Sequence, residues 1–266
     1  MSTDAPVTAL VVAYDGGPFA GWQLQPNRPT VQGTLEAALS AIHGAPREAV
    51  ASVGAGRTDA GVHALGQVAT YRAPNRRGLP ELIHGLAGLL PDSVRVVGAR
   101  RLPASFHACR SATGKLYRYR IINRRIALPF ESPWAWLVRP PLDVDAMRKA
   151  AGRLVGEHDF SAFASAGGQQ ESGVRTLRRL ALVERPGGVL ELDAEADGFL
   201  YRMVRNLAGF LVDVGLGRRR AEEAADVLAA GDRRCAGGTA PPQGLCLVRV
   251  YYGPEWDEAD GATLLF

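Results

Sequence analysis

The stretch GAGRTDAGVHALGQVATY, Gly54 to Tyr71, sets an Arg-Thr-Asp triplet inside a run of glycine and alanine that leads into a strand. Glycine-rich loops cradle phosphate on backbone amides or let the chain turn tightly, and neither task needs a carboxylate at the centre. The stretch fails both phosphate-loop templates. It lacks Gly-Lys-Ser/Thr, and a dinucleotide fingerprint begun at Gly54 and Gly56 would put Asp59 where its third glycine belongs. What the spacing permits is a tight loop that presents Arg57 and Asp59 outward, anchored by Val62, Leu65 and the strand from Gln67. An aspartate beside an arginine stays ionised, because adjacent positive charge lowers its pKa. Such a carboxylate can act as a nucleophile or base; the plainer alternative is a turn aspartate capping its own backbone.

Metal chemistry lacks its ligands in this pattern. His63 follows Asp59 by four residues, but one His and one Asp are too few for a tetrahedral site, and His43, His84, His107 and His158 fall in other segments. His63 therefore reads as a structural hydrogen-bonding residue. Cys109, Cys235 and Cys246 form no Cys-x-x-Cys pair and are odd in number, which argues against a zinc knuckle or a disulfide framework and for a reducing compartment. The opening MSTDAPVTALVVAYDGG has no basic region before its short apolar run, and no apolar stretch approaches the roughly 18 residues of a membrane span, so a cytoplasmic protein with no membrane partner is expected.

The formal net charge is +4, and Lys115 and Lys149 are the only lysines, so the positive charge is almost all arginine. Guanidinium forks suit bidentate phosphate contact and stacking on bases, although a GC-rich coding sequence produces the same bias.

The elements that must position Asp59 alternate along the chain, and 266 residues allow one large or two medium domains. VTALVVAY (7–14) reads as a strand, TVQGTLEAALSAIHG as a helix with Leu35, Ala38, Leu39 and Ile42 on one face and Gly44 at its end, and LPELIHGLAGLLPD as a second helix stopped by Pro91. AVASVGAG, GQVATYRAP and VRVVGARRL supply strands. In the second half GKLYRYRIIN alternates, with Tyr117, Tyr119 and Ile121 on one face and Leu116, Arg118, Arg120 and Ile122 on the other. DVDAMRKAAGRLVG is an amphipathic helix capped by Asp143, LRRLALVE and VLELDAEA are strands, and GFLYRMVRNLAGFLVDVG is the most apolar helix, with Leu200, Val204, Leu207, Leu211 and Val214 as its core stripe. AEEAADVLAAG and GLCLVRVYY close the chain as a helix and a strand. The fold class expected is α+β with mainly antiparallel strands, in two halves divided at 1–105 and 106–266. SAGGQQESGVR (165–175) and GDRRCAGGTAPPQG (231–244) read as lids or plain loops.

Taken together, several stretches resemble the TruA family of tRNA pseudouridine synthases. The Gly54–Tyr71 signature is joined by YDGGPFAGWQLQPNRPTVQGTLEAAL, LPDSVRV, FHACRSATGKLYRYRI, GEHDFSAF, GFLYRMVRN and PPQGLCLVRVYY, all in family order. The resemblance implies two pseudo-duplicated α/β halves whose sheets join into one extended sheet, with the active-site cleft between them. It implies an isomerase that converts uridine to pseudouridine at positions 38, 39 and 40 of the tRNA anticodon stem-loop, working as a homodimer without cofactor or metal. Asp59 becomes the catalytic carboxylate, Arg57 the residue that helps turn the uridine out, Tyr117 the ring that stacks on the flipped uracil and Arg205 the basic residue that pairs with Asp59 and keeps it charged. Leu245 becomes an apolar wall of the uracil pocket. Arg72, Arg76, Arg77, Arg110, Lys115 and Arg118, with Arg120, become phosphate contacts, whereas Arg218, Arg219 and Arg220 read as a solvated helix cap.

The chain departs from the family pattern at Cys109, where an arginine is usual and Arg110 follows directly, at Gly17 in place of Thr, and at His84-Gly85 in place of Asn. Two rival classes are a nucleoside or glycoside hydrolase, for which Asp15 is the available second carboxylate, and a tRNA-binding protein without catalysis, which would tolerate loss of Asp59.

Overall fold

The computed structural model describes residues 6–75, 77–168 and 172–263. Arg76 and the middle of the 165–175 stretch lie outside the described residues. In chain order the elements are β1 (Val7–Tyr14), α1 (Val31–His43), β2 (Val53–Gly54), β3 (His63–Tyr71), α2 (Leu79–Leu89), β4 (Val94–Leu102), β5 (Gly114–Ile122), β6 (Trp136–Leu137), α3 (Val144–Gly152), β7 (Gly156–Asp159), β8 (Val174–Arg185), β9 (Val189–Ala196), α4 (Met203–Gly215), α5 (Glu223–Ala230), β10 (Leu245–Tyr251), α6 (Pro254–Asp257) and β11 (Gly261–Thr263). They group into two compact units, 1–113 with 247–266, and 114–246. Where the sequence reading divides the chain once, after residue 105, residues 106–113 and 247–263 group here with the first unit.

In the first unit the strand order is β11-β4-β1-β3-β10, with β2 on β3. The ladders of β1 with β3 and β4, of β4 with β11 and of β2 with β3 are antiparallel. Central β1 is apolar along most of its length because it is flanked on both sides and buried on both faces. Helix α1 starts where Thr30 accepts a hydrogen bond from Gly33 N and stops where Gly44 turns left-handed at φ 59°. It packs on α2, which lies on β4, and the core gathers Leu10, Trp22, Leu35, Leu39, Ile83 and Leu86.

The second unit orders its strands β5-β9-β8-β7, all antiparallel, with β6 parallel to the end of β5. The alternation expected for GKLYRYRIIN is present. Tyr117, Tyr119 and Ile121 are buried opposite Ala194, Leu192 and Leu190, while Arg118 and Arg120 stand opposite Asp193 and Glu191 on the other face. Asp143 caps α3 by accepting from Ala146 N at 2.9 Å. Helix α4 is buried along nearly its whole length, packing on α3 and β5. No described helix is long and apolar enough to cross a membrane.

Candidate active site

The Asp59 loop is built by the antiparallel pairing of β2 with β3, which brings Val53 opposite Thr70 and Gly54 opposite Ala69. Beyond that ladder Ala55 N donates to Val68 O at 2.7 Å, and the buried Gln67 amide donates to Gly56 O at 2.8 Å. The back of the loop is held by the 14–22 segment. Trp22 N donates to Thr58 O at 3.0 Å, and the Thr58 hydroxyl meets Tyr14 Oη at 2.7 Å. Val62 N closes a turn on Asp59 O at 3.1 Å. With its ends and back secured, the loop leaves Arg57 exposed and Asp59 half-buried.

Two glycines allow this contact. A Cβ on Gly16 would lie 2.1 Å from Val62 O, and one on Gly21, whose φ is +105°, would lie 2.6 Å from Thr58 O. Val62 and Gln67 anchor the loop as expected. Leu65 does not: it is 62% exposed, although the residues before and after it on both faces of β3 are buried.

Asp15 has a local structural task. Its Oδ1 accepts from Gly17 N at 2.9 Å and lies 3.1 Å from His63 Nδ1, which also stands 3.1 Å from Gly16 N. His63 thus ties the start of β3 to the Gly16 turn, the hydrogen-bonding role read from sequence. Among the described residues no three His, Cys, Asp or Glu side chains cluster as a metal site.

In the second unit three of the quoted stretches converge on β5. Tyr117 is buried and packs edge-on to Phe199 of GFLYRMVRN, with ring centroids 5.1 Å apart. Two residues along the same face, Tyr119 donates to Pro241 O at 2.8 Å, and burial pushes its phenol well above the usual range against the opposing charge of Arg205. Arg205 is buried on α4, its Nε donating to Ala240 O at 2.8 Å while Ala240 N returns a bond to Arg205 O. Leu245 is buried directly after Gly244, where a Cβ would strike the Tyr119 ring at 2.5 Å.

The fold also reveals residues that sequence reasoning missed. Asn206 is fully buried, its amide donating to Phe163 O at 2.7 Å and its Oδ1 accepting from Thr239 Oγ1 at 2.6 Å and Arg233 Nη2 at 2.9 Å. Arg233 also donates to Gly237 O, so the 231–244 stretch is pinned rather than poised as a lid. An asparagine in the apolar run of α4 was the available signal, since a buried amide needs partners. Arg202 adopts φ 59° at the start of α4, a strained backbone for a non-glycine residue, with its guanidinium 4.8 Å from the Tyr201 ring centre. Nothing in the residue string marks it.

Residues 10–110 and 150–253 match the family described as tRNA pseudouridine synthase. The chain belongs to that family. The tRNA pseudouridine synthase A of Myxococcus xanthus is 48% identical over 260 residues, 97% of each chain. Its namesake from Solidesulfovibrio magneticus is 49% identical over 254 residues, covering 92% of this chain and 90% of its own. The Thermoanaerobacter sp. protein of that name is 43% identical over 243 residues, covering 91% and 98%. The matched regions of this pseudouridine synthase take in the Asp59 loop, Arg205 and Leu245.

The arginines expected on RNA have unequal surroundings. Arg77 and Arg110 are exposed and their guanidinium groups meet no partner among the described residues. Arg72 and Lys115 are half-buried, Arg72 reaching Ala104 O at 3.4 Å. Arg118 is committed to a fork on Asp193, with Nε at 2.7 Å and Nη2 at 3.0 Å. It also stands 3.3 Å from Glu191, which accepts from Arg120 and Arg185. Burial works to raise the Glu191 pKa, yet these hydrogen bonds and charges outweigh it and hold the carboxyl below its usual value. Arg218, Arg219 and Arg220 each reach Asp213 or Glu223, consistent with a solvated helix-end cluster.

Proposed function

We propose that this chain is a tRNA pseudouridine synthase that isomerises uridine within the anticodon stem-loop, at positions 38, 39 and 40, with Asp59 as its catalytic carboxylate. The observation that carries the reading is the family match along both units, with near-full-length relatives at 48% and 49% identity. The loop geometry agrees with the demand of the chemistry: a carboxylate available to substrate on a backbone that cannot drift.

The reaction breaks the bond from ribose C1′ to N1 of uracil, turns the base and joins C1′ to C5. The product is an isomer of the substrate. The proton on C5 is lost to solvent and N1 gains one, so no oxidant, reductant or leaving group is required. Asp59 acts at C1′ or C6 as nucleophile, or at the ribose as base. Arg57, exposed on the same loop, offsets the cost of unstacking the uridine, a few kcal/mol. Tyr117 stacks on the uracil and serves the later proton transfer, Leu245 bounds the base, and Arg205 supplies the charge that keeps Asp59 ionised. Arg77 and Arg110 are phosphate contacts, with Arg72, Arg76 and Lys115 as further ones. The working unit is a homodimer in the cytoplasm.

The test is tritium release from tRNA transcribed with 5-tritiated uridine. Intact protein is expected to release tritium without free uracil, and Asp59→Asn to lose at least about a thousandfold in turnover while keeping its tRNA affinity. Comparable turnover in the variant removes Asp59 from the chemistry, free uracil among the products makes the protein a hydrolase, and modification away from 38–40 moves the target.

A further inference from the structure

The connection from β5 to β6 carries an unusual exposure. Phe130 is 88% exposed, Ile126 72% and Trp134 39%. The segment is not loose. Arg124 donates to Ile126 O at 2.7 Å and Gly187 O at 2.8 Å and pairs with Glu131, whose carboxylate also accepts from Leu128 N at 2.8 Å. Asn123 donates to Val138 O and Pro140 O, closing the base of the loop just past β6. A stiffened loop that keeps a phenyl ring in water is organised for a partner.

The chemistry around the ring says which partner. Phe130 and Trp134 line a cavity of about 310 Å³ whose sheet-side wall includes Arg120, Arg185 and Glu191. Glu191 is occupied by those arginines and Glu131 by Arg124, so neither carboxylate stands uncompensated toward an anion. Arg125 and Arg139, at either end of the loop, are exposed and form no hydrogen bond or ion pair among the described residues. Aromatic faces bracketed by free arginines are the combination that binds unpaired nucleotides, the rings stacking on bases and the cations meeting phosphates. An all-apolar partner would leave those two charges without a counterpart.

We propose that the 123–139 loop and the cavity beside it form a second RNA contact, which takes an unpaired nucleotide of the tRNA with its base on Phe130 and flanking phosphates on Arg125 and Arg139. The assignment rests on tRNA being the substrate, as argued above. Equilibrium binding of transcribed tRNA, measured in the Asp59→Asn background so that no turnover intervenes, tests it. Phe130→Ala and Phe130→Leu are expected to weaken binding roughly tenfold and Phe130→Trp to restore it, because stacking needs a π-face. Arg125→Gln with Arg139→Gln should lower the salt slope of log Kd by about one to two. Wild-type affinity in Phe130→Leu, or an unchanged slope in the arginine pair, overturns the proposal. So does light scattering that shows Phe130→Ala converting a dimer to monomers, which makes the loop a self-association surface. Normal tritium release with Phe130-independent binding sinks this inference alone; Phe130-dependent binding without tritium release sinks the isomerase reading alone.

Discussion

Arg118 and Arg110 lie eight residues apart and have opposite surroundings, so a single substitution at each separates an arginine held in a carboxylate fork from an exposed one proposed to meet phosphate. Arg118→Gln breaks the fork on Asp193 and is expected to cost about 2 kcal/mol in urea unfolding with tRNA affinity changed less than about twofold. Arg110→Gln should leave stability within about 0.5 kcal/mol and reduce the salt slope of tRNA binding by about one. His107 adds a pH dependence to the same turn. Its Nδ1 accepts from Cys109 N at 3.1 Å and Arg110 N at 3.2 Å, and partial burial, with the charge of Arg110, lowers its pKa from 6.5. The unfolded chain therefore binds this proton more readily than the folded one. The stabilisation is complete above about pH 6.5 and is lost as pH falls through that value toward the folded pKa. Thermal midpoints measured from pH 7.5 to 5 should fall more steeply in the wild type than in His107→Gln; parallel curves remove His107 from the turn's stability.

At the scale of elements, the position of Asp59 depends on the close approach of the 14–22 segment to the 55–62 loop. Gly16→Ala and Gly21→Ala each force backbone away from Val62 O or Thr58 O, and the second also strains a φ of +105°. Each is expected to destabilise by about 2 kcal/mol and to lower turnover about a hundredfold, since a shift near 1 Å in a catalytic group has that consequence. Gly88→Ala is the control. It lies in α2 with nothing within 4 Å of the added methyl, so it should gain about 0.5–1 kcal/mol and leave turnover alone. Urea titrations and tritium release on the three variants check both statements. Wild-type turnover in Gly16→Ala would mean that the loop is not held from behind.

At the scale of the whole molecule, the chain leaves its first unit at residue 113 and re-enters it at 247. The returning segment is well bonded there. Tyr252 donates to Ala108 O at 2.8 Å and stacks on Trp256 at 4.7 Å, Arg100 covers the Trp256 ring, and β11 pairs with β4. A 1–113 fragment is expected to aggregate or remain unfolded, whereas 1–113 joined by a Gly/Ser linker to 247–266 should unfold cooperatively in urea. The 114–246 fragment has its own core around Phe160, Phe163, Phe210 and Tyr119 and should do the same. Cooperative unfolding of 1–113 alone would show that the last strands are dispensable.

The residue string determined β1, β4 and β9 to the residue, the start of α3 at Asp143 and the stop of α1 at Gly44, because these depend on local periodicity, capping and turn chemistry. It also carried the family, since the Asp59 signature and its companion stretches are linear text. Tertiary structure alone decided that Leu65 faces solvent, that Arg118 belongs to Asp193, that Arg233 pins the 231–244 stretch through Asn206, and that the final strands complete the first unit. Partners such as Arg118 and Asp193 are 75 residues apart. Their meeting follows from strand register and from which backbones approach closely, and no local pattern of residues encodes either.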